Sequence, residues 1–183
     1  MARQTRRVIT GHDASGKAIV VADGAAPNMR TRDAGPTATL LWVTDRAPAQ
    51  VDGVGDAAAR QVGVAPPAGG SILRIVDFPP VGADIASLDN TAMKKEMGLD
   101  EDHGSKGKPA RHPFTHRTRS VDYALVLEGE IDMLLDDSEV HLKAGDVLIQ
   151  MATNHAWVNN SDKNCRIAFV LVDSDEPEAW KKG

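Results

Sequence analysis

Two short stretches of this chain carry side chains that can do chemistry. In HRTRSVDYALVLEG, residues 116–129, His116, Thr118, Ser120 and Asp122 recur at every second position. In HAWVNN, His155, Trp157 and Asn159 do the same. Imidazole and carboxylate move protons near neutral pH and also bind first-row metals. A spacing of two is the side-chain period of a β-strand, so each set shares one face of its strand. From His116 the even positions begin polar and chelating and continue as Ala124 and Val126. That is the profile of a strand entering a pocket mouth and running into a barrel floor. The odd positions begin with Arg117 and Arg119, read as solvated, and continue as outer-core residues such as Tyr123. The candidate catalytic residues are His116, Asp122 and His155. Thr118, Ser120, Trp157 and Asn159 are candidates for the substrate pocket. Trp157 suits a pocket wall and a barrel-filling core position almost equally, and Asn159 suits a turn as well as a pocket.

The elements that must position these residues are short and β-like. KAIVVAD, TATLLWVTD, SILRIVDF, DYALVLEG, EIDMLLDD, EVHLKAG, DVLIQ, HAWVNN and CRIAFVLVD are rich in Val, Ile and Leu and bounded by turn residues. Their spacing in the C-terminal half predicts an all-β antiparallel sandwich or barrel. Gly145-Asp146 reads as a tight turn with a positive glycine φ. Two stretches break the pattern. Residues 46–70 are rich in Ala, Gly and Pro and read as an irregular connection. Residues 83–114 are expected to hold one short helix, capped by Asn90 or Thr91 and ended by Gly98. Loops of that length act as lids, or wrap the barrel or a partner subunit.

The spacing resembles the two motifs of the cupin superfamily. The first motif, G-x5-H-x-H-x3,4-E-x6-G, is met by His116-x-Thr118-x3-Asp122-x6-Gly129, without a clear leading glycine. The second, G-x5-P-x-G-x2-H-x3-N, is met by Gly145-x5-Met151 followed by His155-x3-Asn159. The likeness is to small single-domain cupins with mostly unassigned activity. It implies a double-stranded β-helix, or jelly-roll barrel, with extra N-terminal strands. It also implies a divalent transition metal (Fe, Mn, Zn or Ni), held through the first-motif histidines and glutamate and the second-motif histidine. Carried over by position, His116 is the first ligand and Thr118 stands where a second histidine is usual. Asp122 replaces the glutamate, and His155 is the last ligand. Three ligands remain, a set that suits non-haem iron or catalytic zinc. The alternatives are a metal-free acid–base pocket and a hydrogen-bonded polar core without chemistry. The implied function is metal-dependent lyase or isomerase chemistry, dehydration or decarboxylation, on an oxygenated small molecule. A non-haem iron dioxygenase and a non-catalytic ligand binder are the other readings. Pairing through outer sheets into a homodimer is a further implication of the resemblance.

Composition bounds these readings. The 183 residues suit one domain: N-terminal strands and connections over 1–82, an insertion over 83–114, the motif core over 115–173 and a polar tail over 174–183. A net charge of −5 argues against a nucleic-acid partner, and Arg3, Arg6 and Arg7 read as a solvated tail. No apolar run is long enough to span a bilayer and no secretory h-region is evident, so the expected location is cytoplasmic, without a membrane partner. Cys165 is the single cysteine and reads as a small buried strand residue. His112 reads as a rim residue on a loop, and His103 and His141 as surface residues.

Overall fold

Alternation of aliphatic and polar residues makes strands here, and glycine-bearing turns end them. The computed structural model of the chain describes residues 3–31, 35–53, 55–82 and 111–181. Eleven strands run through these residues: β1 (Arg6–His12), β2 (Ala18–Ala25), β3 (Met29–Thr31), β4 (Thr37–Thr44), β5 (Ser71–Phe78), β6 (Ser120–Glu128), β7 (Glu130–Leu134), β8 (Glu139–Lys143), β9 (Val147–Met151), β10 (Ala156–Val158) and β11 (Cys165–Asp173). One helical turn, α1 (Glu178–Lys181), follows. The expected helix between 83 and 114 falls on residues outside those described. Among the described residues no helix is long and apolar enough to cross a membrane.

The strands form a six-stranded sheet in the order β3-β4-β5-β11-β6-β9 and a three-stranded sheet in the order β10-β7-β8. Every pairing is antiparallel. The core lies between the two sheets. Ile72, Val76, Ala124, Val126, Ile167, Phe169 and Leu171 from the larger meet Ile131, Met133 and Leu142 from the smaller. This is the expected all-β jelly roll. Cys165 is fully buried at the start of β11. Two glycines make the sharp corners possible. Gly145 has φ +96° and turns β8 into β9; Gly129 has φ +75° and turns β6 into β7. A Cβ on Gly129 would lie 2.6 Å from the Asn164 carbonyl oxygen, so glycine is required there for space as well as for backbone conformation.

Four expectations need correction. The N-terminal arginines are not a free tail: β1 pairs with β2, Arg6 forks onto Asp23 at 2.7 and 2.8 Å, and Arg7 reaches Asp56 and the Leu41 carbonyl. The regular strand starts at Ser120 rather than at His116. The segment before it is held by one isolated bridge between His116 and His155. Arg117 and Arg119 are not merely solvated. The Arg117 guanidinium sits 4.0 Å over the Trp180 ring of α1, which gives the polar tail a docking point, and Arg119 pairs with Asp173 at 3.4 Å. Tyr123 is 42% exposed on the outer face of the sheet and so is not part of an outer core.

Candidate active site

The parity of β6 decides which groups reach the interior. Ser120, Asp122, Ala124 and Val126 all point inward and are buried. Asp122 is therefore delivered into the barrel by the same alternation that packs the core. His155 immediately precedes β10, and its backbone exchanges two 2.9 Å hydrogen bonds with His116. This bridge brings the two imidazoles together, with ring centroids 4.5 Å apart. The His116 Nδ1–H donates to the Phe114 carbonyl at 2.8 Å.

Around Asp122 the hydroxyls form a chain. Ser120 Oγ donates to Asp122 Oδ1 at 2.5 Å, and Thr118 Oγ1 lies 2.8 Å from Ser120 Oγ. Because the serine hydrogen is spent on the carboxylate, Thr118 donates to Ser120. Burial pushes the Asp122 pKa up to about 6, while the Ser120 hydrogen bond and the charge of Arg74 pull the other way.

His155 is anchored by a residue the sequence reading passed over. Gln150 is buried on β9, directly opposite Asp122 in the β6–β9 register. Its amide nitrogen donates to the Thr153 carbonyl at 2.8 Å and to Thr153 Oγ1, which uses both of its hydrogens. His155 Nδ1 lies 3.0 Å from the same carbonyl and from Gln150 Nε2. With the amide hydrogens committed, Nδ1 carries its own hydrogen and donates to Thr153, leaving the Nε2 lone pair for the cavity. Burial and, after it, the neighbouring His116 lower the His155 pKa to about 3 against the opposing pull of the Thr153 bond. A polar amide at an inward position of an apolar strand was the signal that could have found Gln150.

One cavity gathers His116, Asp122 and His155. Phe78, Phe114, Trp157 and Phe169 wall it, with Arg74 at its side. Its free volume is about 140 Å³, below the ~300–1,000 Å³ of drug-sized ligand sites, so it suits only a small molecule. Trp157 packs edge-on against His155 and Phe169, at centroid distances of 6.1 and 5.4 Å, so it serves pocket and core at once. Thr118 and Ser120 do not line the cavity; they stand behind Asp122 in its hydroxyl chain. Asn159 does not line it either. Its amide donates to the carbonyls of Phe78 and Lys163 at 2.8 and 2.7 Å, and its oxygen accepts from Ser161, which ties down the turn between β10 and β11. His112 is buried against Phe114 with its centroid 5.3 Å away and is not at an open rim. His141 lies on the surface beside Asp132, and His103 falls outside the described residues.

Comparison with known proteins points the same way as the fold. The Cupin domain family (Cupin_2) matches residues 103–172. Phomopsin biosynthesis cluster protein C' of Diaporthe leptostromiformis is 31% identical over 187 residues, covering 94% of this chain and 80% of that protein. The chain belongs to the cupin superfamily. The cupin-domain-containing oxidoreductase fogC of Aspergillus ruber is 28% identical over 178 residues, covering 93% of this cupin and 73% of the relative. A crystal structure of a cupin superfamily protein from Desulfitobacterium hafniense is 13% identical with a TM-score of 0.43, covering 79% of this chain and 84% of the other.

Many cupins hold a metal, and the donors of this one can be tested against that role. Among the described residues no group of three or more His, Cys, Asp or Glu side chains is disposed to hold a metal ion. The expected trio of His116, Asp122 and His155 shares a cavity without forming a ligand cluster. The residue types account for this. Thr118 contributes a hydroxyl committed to Ser120 where an imidazole would be needed, and Asp122 is one methylene shorter than glutamate. Among the described residues the donor set does not fit a three-ligand metal centre.

Proposed function

We propose that this cupin is a small-molecule enzyme that moves protons on an oxygen-bearing organic substrate inside the barrel, in lyase or isomerase chemistry. The observation that carries this reading is the cavity itself, where one carboxyl and a pair of anchored imidazoles open onto an aromatic wall. The wall would take the apolar body of a substrate and exclude water, and the polar groups would meet its carbonyl or hydroxyl. Because Asp122 Oδ1 accepts from Ser120, the proton that the carboxyl holds below about pH 6 sits on Oδ2, where it is available to a substrate oxygen. His155 Nε2 is the complementary base. In such a step His155 removes the hydrogen α to a carbonyl, the C–H electrons form the enol double bond, and Asp122 protonates the oxygen. Return of the proton at another carbon gives an isomer, and loss of a β-hydroxyl as water gives dehydration. Neither outcome needs an oxidant.

The opposed proton affinities of Asp122 and His155 support these roles, since an acid and a base in one site require pKa values pushed apart. Relatives named as biosynthesis cluster proteins and as cupin-domain-containing oxidoreductases support action on small organic molecules. The test is α-proton exchange into deuterated water, followed by NMR over a panel of carbonyl compounds, with metal content measured on the same sample. Exchange is expected at metal levels far below stoichiometric and is expected to be lost in Asp122→Asn and His155→Gln. Absence of exchange for every compound that binds would overturn the reading. So would exchange that tracks a stoichiometric metal lost with His155→Gln.

A further inference from the structure

β5 carries a cation on the face it turns to the barrel interior. Ile72, Val76 and Phe78 on that face pack in the main core, while Arg74 lines the cavity that holds His116, Asp122 and His155. In the sheet Arg74 stands between two apolar neighbours, Phe169 on β11 and Leu40 on β4. A guanidinium keeps its proton at any working pH, so a half-buried arginine keeps its charge and needs oriented acceptors to hold it. Arg74 Nη2 donates to the Gly63 and Val64 carbonyls, each at 2.9 Å. Both acceptors are neutral, and they fix the direction of the fork without offsetting its charge. That charge is felt at Asp122, whose ionised form it favours.

The cavity thus offers three chemistries. It has a fixed cation at Arg74, proton-moving groups at Asp122 and His155, and an aromatic wall at Phe78, Trp157 and Phe169. A neutral substrate would use the last two and leave the cation idle. An oxo acid uses all three: its carboxylate matches the planar guanidinium fork, its carbonyl meets Asp122, and its carbon chain lies on the rings. The free volume limits that chain, since about 140 Å³ is the liquid volume of roughly five waters. We propose that Arg74 is a substrate-binding residue that selects a carboxylate, and that the substrate is a short-chain oxo acid. This rests on the reading of the cavity as the active site and names the class of molecule the site takes. Arg74 holds the anion and moves no proton.

The experiment is calorimetric titration of the full chain with pyruvate, acetoacetate and laevulinate, each set against its methyl ester, with circular dichroism on each variant. Every pair keeps the carbonyl and removes only the anion. At least one acid is expected to bind about tenfold or more tighter than its ester, as a charge-assisted pair requires. Arg74→Gln should abolish that preference, and Arg74→Lys, which keeps the charge without the fork, should restore part of it. Arg60 lines a neighbouring pocket that shares Arg74, and it pairs with Asp45 at 2.7 Å. Arg60→Gln should leave the preference unchanged. An arginine that merely pinned residues 63–64 to the sheet would not separate an acid from its ester. Esters that bind the wild type as well as their acids overturn the proposal, and that comparison needs no variant to fold. Failure of every acid to bind, a preference that survives Arg74→Gln, or an Arg74→Lys protein no better than Arg74→Gln also overturns it. Binding is read apart from proton exchange, so the two readings fail separately. An acid held through Arg74 that never exchanges its α-hydrogen overturns the acid–base reading alone, and exchange on neutral ketones with no preference for acids overturns this one alone.

Discussion

Asp122 and His155 are both buried, yet burial drives their proton affinities in opposite directions because each resists its own charged form. The consequence for stability has two signs. Between about pH 4 and 6 the native Asp122 holds a proton that the unfolded chain has released, so its contribution to stability falls as pH rises. Over roughly the same window the unfolded His155 binds a proton that the native state excludes, so its contribution rises with pH. The two slopes oppose each other, each on the order of 1.4 kcal/mol per pH unit. Denaturant titrations should show a shallow profile for the wild type between pH 4 and 6. Asp122→Asn should become steadily more stable as pH rises, and His155→Gln steadily less. A steep wild-type profile, or two variants sloping the same way, would contradict the paired burial. Gln150 gives a second test at this scale. Gln150→Leu removes the amide that holds the Thr153 carbonyl and with it the His155 tautomer. Proton-exchange turnover should fall on the order of tenfold to a hundredfold, with substrate affinity nearly unchanged.

At the scale of elements, period-two alternation made most of the site legible. Ser120, Asp122, Ala124 and Val126 could be assigned to one face from spacing alone, and the structure buries all four. What alternation could not supply was pairing between distant positions. β1 reads as a basic tail because the partners of Arg6 and Arg7 are Asp23 and Asp56, far along the chain. The strand was also read as starting at His116, since spacing carries no sign that a single bridge to His155 replaces regular pairing there. Thr118 and Ser120 were placed on the right face but at the wrong depth, because parity gives direction and not distance from a cavity. Asn159 suits a pocket or a turn by sequence, and its hydrogen bonds to Ser161 put it in the turn. The sharpest element-level prediction concerns Gly129. Gly129→Ala forces a left-handed residue and a clash with Asn164, and should cost roughly 2–3 kcal/mol in chemical denaturation. A loss below about 0.5 kcal/mol would mean that the β6–β7 corner relaxes freely.

At the scale of the whole molecule, the larger sheet is used on both faces. Inward residues build the barrel and its cavity, and outward residues build a second small core and an uncovered apolar field. Cys165 adds a consequence of a different kind. Its thiol is fully buried where β11 lies against β5, and burial raises its pKa to about 11. It is the chain's single cysteine. Alkylating reagents added to the folded protein can reach no other sulfhydryl and can reach this one only when the core around the start of β11 opens. The rate of thiol modification is therefore a built-in clock for that opening, readable by mass without introducing a label.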